Sequence, residues 1–192
     1  MLSATTLDAV VIGASAGGVE AITTLLAPLR APFGVAVVIV IHLPPTNENL
    51  LVSVLRPRCA LPVVEAADKD SIERGTVYLA PPGYHLLVEP GRTFALSLDA
   101  PVHFSRPSID VLFESAAFAY RDRLLGILLT GANADGADGI ARIRAFGGQA
   151  WVQDPSTAAA PAMPTAALER AGADRVLSLP EMAGALAAIG AA

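Results

Sequence analysis

The chain has almost no cysteine, almost no lysine and few aromatic residues, and each shortage removes a class of function. Cys59 stands alone, so no internal disulfide is available, and no cysteine and histidine cluster has the spacing of a zinc site. A reducing compartment is the simplest reading. Lys69 is the only lysine, and 13 basic against 18 acidic residues leave a formal charge of −5. Such a chain lacks the basic footprint that nucleic-acid binding requires. No apolar run approaches the length of about 18 residues needed to span a bilayer. Met1 to Asp8 has neither the basic nor the apolar region of a signal peptide. These absences predict a cytoplasmic protein that binds no nucleic acid, does not insert into a membrane and holds no metal.

What is present is a rhythm. Short β-branched runs alternate with helical patterns, the signature of parallel βαβ units. Strands are predicted at 9 to 13, 35 to 41, 62 to 65, 124 to 130, 149 to 153 and 174 to 178. Helices are predicted at 18 to 28, 47 to 56, 108 to 120, 136 to 146, 164 to 171 and 180 to 189, with Ser108 the N-cap of the third. The unalternated apolar runs Val35 to Ile41 and Leu124 to Leu129 suit strands covered on both faces. The prediction is a doubly wound α/β fold, its mainly parallel sheet flanked by helices on both faces. Thr76 to Leu79, Tyr84 to Glu89 and Thr93 to Leu98 break the alternation and read as an antiparallel flap at one edge. No repeat, linker or long charge run divides the chain, so residues 1–192 read as one domain.

Chemistry enters at Gly13-Ala14-Ser15-Ala16-Gly17, directly after the first strand. Glycines two residues to either side of a serine on a strand-to-helix turn match the nucleophile-elbow pattern, where small neighbours admit a substrate. The competing reading is a phosphate or dinucleotide site, since glycine turns that open helices bind anions. That fingerprint needs a glycine where Ser15 stands, and its acidic ribose partner about 20 residues on has no good candidate. The second strand runs instead into His42, and the fourth predicted strand leads to a glycine-rich loop carrying Asp135. In an open parallel sheet these three positions share the carboxyl edge, where ligands bind. A Ser-His-Asp triad of Ser15, His42 and Asp135 is therefore available. Each member has a plainer role open to it: Ser15 as a helix cap, His42 as a half-buried strand-end residue, Asp135 as the cap of helix 136 to 146. Asp110 and Asp138 compete with Asp135 but fall in first turns of helices and are read as structural. His85 and His103 lack a strand-end position.

Several stretches together resemble the catalytic domain of the CheB chemotaxis methylesterases. They are Val11 to Ile22, His42-Leu43-Pro44-Pro45, Tyr78 to Pro82, Arg106 to Phe113, Leu128 to Gly131 and Asp135-Gly136-Ala137, which follow the family's order over nearly the whole chain. The resemblance implies the same fold and places the family's triad on Ser15, His42 and Asp135. It implies hydrolysis of glutamate γ-methyl esters on the cytoplasmic helices of methyl-accepting chemotaxis receptors, with glutamine deamidation as a related activity. Both pass through an acyl-enzyme without a cofactor. Ala16, the residue after the nucleophile, is the natural backbone oxyanion donor, and Ala132 and Asn133 belong to the loop that completes or shapes that site.

The sequence departs from the family pattern in three places. A hydroxyl residue is usual where Ala16 stands, a methionine where Ala132 stands, and a glycine where Asn133 stands. An N-terminal receiver domain is also usual, whereas this chain starts almost at the first catalytic strand. It reads either as a truncated chain or as a stand-alone esterase domain, constitutively open or controlled by a regulator in trans. A hydrolase of a different small ester or amide, and a non-catalytic binding module on the same fold, remain alternative readings.

Overall fold

A computed structural model describes residues 7–42 and 50–190. Six helices and nine strands fall among them in the order β1 (Ala9–Ala14), α1 (Gly18–Leu26), β2 (Ala36–Ile41), α2 (Leu50–Leu55), β3 (Val63–Glu65), β4 (Val77–Leu79), β5 (His85–Val88), β6 (Phe94–Ser97), α3 (Ile109–Tyr120), β7 (Leu124–Leu128), α4 (Ala137–Ala145), β8 (Gln149–Gln153), α5 (Ala162–Ala171), β9 (Arg175–Leu177) and α6 (Leu179–Gly190). Seven strands pair in parallel in the order β3-β4-β2-β1-β7-β8-β9. The chain winds outward from β1 in one direction, then returns to its other side at β7. The gap between the carboxyl ends of β1 and β7 is therefore the topological switch point.

The predicted doubly wound sheet is thus the observed one, with element ends among the described residues moved by no more than two residues. Positions 47–49 of the second predicted helix, and Leu43 to Pro45 after His42, lie outside the described residues. One assignment needs correction. Thr76 to Leu79 does not belong to the antiparallel flap: Val77–Leu79 is β4, parallel to both β2 and β3 inside the main sheet. The crossover from β3 to β4 has no helix to announce it, and three residues are too few to show periodicity. Burial on both faces explains why all three are apolar or aromatic. The antiparallel pair is β5–β6 alone, joined in register His85 to Ser97 through Val88 to Phe94. The segment after β3 holds it, through Lys69 N–H to Phe94 O and Ile72 N–H to Arg92 O.

Alternation along the central strands sorts the core into two layers. Val10, Ile12, Val37, Ile39, Leu125 and Ile127 face the layer that contains Ile22 and Leu25 of α1 and Met182 and Leu186 of α6. Val11, Val38, Val40, Leu124 and Leu128 face the layer of α3, α4, α5 and the β5–β6 hairpin. Continuing that parity beyond the strand ends puts positions 15 and 42 on the second face, above α3 and α4.

Candidate active site

β1 and β2 are aligned with Ala14 opposite Ile41, so Ser15 and His42 are the next pair in the same register. His42 N–H still donates to Ala14 O at 3.1 Å. The elbow is fastened on its other side to β7, where Ser15 N–H donates to Thr130 O at 2.9 Å and the Thr130 hydroxyl donates to Ala16 O at 2.8 Å. Gly17 takes φ 77° to start α1. A Cβ there would also come within 2.8 Å of the Ala159 methyl, so glycine is required twice over. The N-cap of α1 is Gly17, with no side-chain cap, so capping does not account for Ser15.

Asp135 is fully buried at the end of the loop that leads from β7 into α4, and its carboxylate is saturated. Oδ2 accepts from His42 Nε2 at 2.8 Å and from Ile109 N–H at 2.7 Å. Oδ1 accepts from the Ser108 hydroxyl at 2.8 Å and from Asp110 N–H at 3.0 Å. Gly136 is the residue that caps α4, so Asp135 instead sits at the amino end of α3, the end that favours a negative charge. Burial alone would raise its pKa. The His42 hydrogen bond, the two backbone N–H groups and the Ser108 hydroxyl outweigh that and hold it below the ordinary carboxylate range.

This arrangement selects a tautomer. An ionised acceptor on Nε2 keeps the proton there, so in the neutral ring Nδ1 carries the lone pair and is the only nitrogen able to act as a base. The Ser105 hydroxyl lies 3.4 Å from Nδ1. Ser15 Oγ makes no hydrogen bond to His42, or to any other described residue, in this structure. Two of the three predicted site residues are thus directly bonded, and the third occupies the adjacent register position.

The backbone N–H groups of Ala16 and Gly17 have no acceptor among the described residues, which leaves them free for a developing oxyanion. Ala132 is exposed, and its N–H and that of Asn133 are likewise free among the described residues. Asn133 turns the loop, its Oδ1 accepting from Asp135 N–H at 3.2 Å. A cleft of about 250 Å³ beside His42 is lined by Gly83, Pro101, Phe104, Ser105, Arg106 and Pro107. It opens past Phe104, which is fully exposed.

The competing carboxylates have other work. Asp110 is buried and its Oδ1 accepts from Gly139 N–H at 2.7 Å, pinning α4 to α3. Burial, with the adjacent charge of Asp135, pushes its pKa up to about 7 despite the Gly139 bond. Asp138 is half exposed and pairs with Arg170 Nε at 2.6 Å. His85 is buried with both ring nitrogens used, Nδ1 accepting from Ser108 N–H at 3.2 Å and Nε2 donating to Ala100 O at 3.1 Å. His103 lies 3.3 Å from Asp110 Oδ2. Nothing in the sequence marks Ser105 for this site. The sequence identifies Ser108 as the N-cap of α3, a role it fills, but nothing in spacing shows that the same hydroxyl grips a carboxylate 27 residues later.

The class is a doubly wound α/β protein that carries a hydroxyl, an imidazole and a buried carboxylate on the carboxyl edge of its sheet. Comparison with known proteins narrows this. The CheB methylesterase family model matches residues 10–186. The chain belongs to that family. A protein of Leptospira interrogans, provisionally named protein-glutamate methylesterase/protein-glutamine glutaminase, is 48% identical over 176 residues, 92% of this chain and 91% of that one. A Trichodesmium erythraeum protein-glutamate methylesterase/protein-glutamine glutaminase is 39% identical over 180 residues, covering 92% of this chain but 51% of its own. The chain spans about half the length of such longer relatives. The crystal structure of the Thermotoga maritima CheB methylesterase catalytic domain superposes with a TM-score of 0.90 at 30% identity, covering 95% of this chain and 98% of that one. No helix among the described residues is long and apolar enough to cross a membrane.

Proposed function

We propose that the chain hydrolyses γ-methyl esters of glutamate on the cytoplasmic helices of chemotaxis receptors, releasing methanol, and deamidates glutamine at the same site. Ser15 is the nucleophile. His42 Nδ1 takes its proton as Oγ bonds to the γ-carbonyl carbon, and returns that proton to the departing methanol or ammonia. Asp135 keeps the imidazole proton on Nε2 and stabilises the imidazolium that forms. The carbonyl electrons move onto oxygen and meet the free N–H groups of Ala16 and Gly17. Collapse leaves an acyl-enzyme on Ser15, and water activated by the same nitrogen regenerates the serine. Water supplies the second nucleophile and replaces the proton that Ser15 gave to the leaving group, and no atom changes oxidation state, so the reaction as proposed uses no cofactor.

The observation that carries this reading is the 2.8 Å bond from His42 Nε2 to a fully buried, four-times-bonded Asp135, with Ser15 next to His42 in register. The cleft beside His42 opens past a fully exposed phenylalanine instead of closing over a small molecule, which favours a protein side chain as substrate. A receptor's cytoplasmic helices would place the chain in the cytoplasm. The test is methanol release from methylated receptor cytoplasmic fragments, with ammonia release from their glutamine forms. Wild-type protein is expected to release both, and Ser15→Ala is expected to lose at least about 10⁴-fold in kcat while remaining folded. Turnover by Ser15→Ala near the wild-type rate would overturn the assignment.

A further inference from the structure

With Asp135 on Nε2, the proton chemistry of His42 falls to Nδ1, and the hydroxyl that faces Nδ1 in this structure belongs to Ser105. We infer that Ser105 is a positioning residue of the base, a hydroxyl that holds the His42 ring through both of its protonation states. The inference rests on the proposed roles of Ser15 and His42.

Two acceptors lie within reach of the Ser105 hydroxyl: His42 Nδ1 at 3.4 Å and the backbone carbonyl of His103, also at 3.4 Å. A hydroxyl has one proton and two lone pairs. While Nδ1 is unprotonated, Ser105 donates to it. Once Nδ1 has taken the Ser15 proton, the Ser105 hydrogen turns to the His103 carbonyl and its oxygen accepts from Nδ1–H. No proton passes through Ser105, which therefore ends each cycle as it began. Substrate binding brings the Ser15 hydroxyl to the same nitrogen, so Ser105 must yield part of its bond and regain it as imidazolium forms.

The turn that delivers Ser105 is built to hold it there. Val102 and Ser105 exchange backbone hydrogen bonds of 3.1 and 2.8 Å around His103 and Phe104, whose φ values are 47° and 62°. Neither residue is glycine, and such conformations persist only where surrounding contacts enforce them. His103 is held toward Asp110 on one side. On the other, the Arg106 guanidinium donates to Leu98 O at 2.9 Å and Asp99 O at 3.0 Å. Among the described residues, the charged groups facing the His42 ring are Asp135, bonded to Nε2, and Arg106, which lines the cleft beside it.

The experiment compares wild type with Ser105→Ala, Ser105→Val and Ser105→Thr in methanol release, measuring kcat and KM separately across pH. Thr keeps the hydroxyl and Val keeps the shape without it. The expected result is about a tenfold fall in kcat for Ala and Val, KM within about twofold, a displaced acid limb of the kcat/KM profile, and recovery by Thr. Labelling by a fluorophosphonate should slow in Ala and Val and still modify Ser15. Wild-type kcat and pH profile in Val, or failure of Thr to differ from Val, would overturn the inference. So would a fluorophosphonate adduct on Ser105, which would make it the nucleophile. Ser15→Ala run alongside separates the two failures: activity there sinks the proposed roles themselves, whereas an inactive Ser15→Ala with a normal Ser105→Val removes Ser105 alone.

Discussion

Asp8 and Asp135 are both buried carboxylates at the ends of central strands, and they are stabilised in opposite ways. Asp8 precedes β1 at the amino edge of the sheet, 3% exposed, and meets three guanidinium groups: Arg74 and Arg123 on Oδ1 and Arg92 on Oδ2 at 2.9 Å. Asp135 follows β7 at the carboxyl edge, wholly buried, and meets no arginine among the described residues. Its partners are two backbone N–H groups, one hydroxyl and one imidazole. Full charges around Asp8 cancel its field locally, which suits an anchor joining β1 to the segments before β4, β6 and β7. Neutral donors and a helix terminus satisfy Asp135 without cancelling it, so its negative charge stays available to an imidazolium 2.8 Å away. One edge of the sheet spends its carboxylate on stability and the other keeps it for chemistry.

Replacing each by asparagine should split these roles, with the largest effect at Asp135. Asp135→Asn keeps the shape but offers an amide that can donate to Nε2, which moves the imidazole proton to Nδ1 and removes the base. The expected loss is about 10⁴-fold in kcat with the fold retained, read by methanol release and circular dichroism. Asp8→Asn should show wild-type kcat in the folded fraction and lose stability by about 1–3 kcal/mol. That is less than a fully buried pair would cost, because its three arginines are about half exposed and regain water. Equal kinetic damage from both substitutions would break the comparison.

Gly13 tests whether the α3 terminus must approach β1 closely to serve Asp135. A Cβ at Gly13 would lie 2.4 Å from Ile109 Cγ2, and Ile109 N–H is one of the four donors to the carboxylate. Gly13→Ala should therefore cost about 1–3 kcal/mol and also reduce kcat, since the helix must shift away from Asp135. A stability loss with unchanged kcat would show that the donors tolerate that shift.

Asp110 sharpens the comparison within a single helix terminus, because its carboxyl is pushed up where that of its neighbour Asp135 is held down. Between its ordinary value of 3.8 and its folded value of about 7, the folded protein keeps a proton that the unfolded chain has lost. Stability from this group accordingly falls as pH rises through that window. Asp135 runs the other way, its contribution present above the unfolded carboxylate range and lost only as pH falls through its lower folded value. Asp110→Asn keeps Oδ1 for the Gly139 N–H without a titrating proton. Urea melts at pH 5 and pH 8 should show a smaller drop between the two for Asp110→Asn than for wild type; an identical drop would mean that Asp110 does not titrate in this range.

The legible and illegible parts of the site differ for a physical reason. Ser15 and His42 could be placed from sequence because each follows a long buried strand whose apolar run marks its end, and strand ends in a parallel sheet share an edge. Asp135 could be placed for the same reason, through β7. What holds Asp135 could not: Ser108, Ile109 and Asp110 belong to an element whose position depends on how closely α3 packs against β1 and β7. The short β4 was misassigned because its neighbours in the sheet, not its own residues, decide its pairing. Ser105 lay in a turn with no glycine to announce its left-handed residues.

The smallest effect is expected at Asp138, the remaining carboxylate of the α4 loop. It lies three residues after Asp135, in the first turn of α4, yet its side chain is 52% exposed and its partner Arg170 is 64% exposed. A pair so open to water gains little, because solvent screens the attraction and both side chains lose freedom in making it. Asp138 touches neither His42 nor the cleft beside it. Asp138→Ala should therefore cost no more than about 1 kcal/mol in urea melts, through the lost pair and the helix-terminus charge together. Its kcat for methanol release should stay within about twofold of wild type. A large fall in kcat for folded Asp138→Ala, with Asp135→Asn nearly active, would transfer the catalytic role to Asp138 and undo the contrast between the two edges of the sheet.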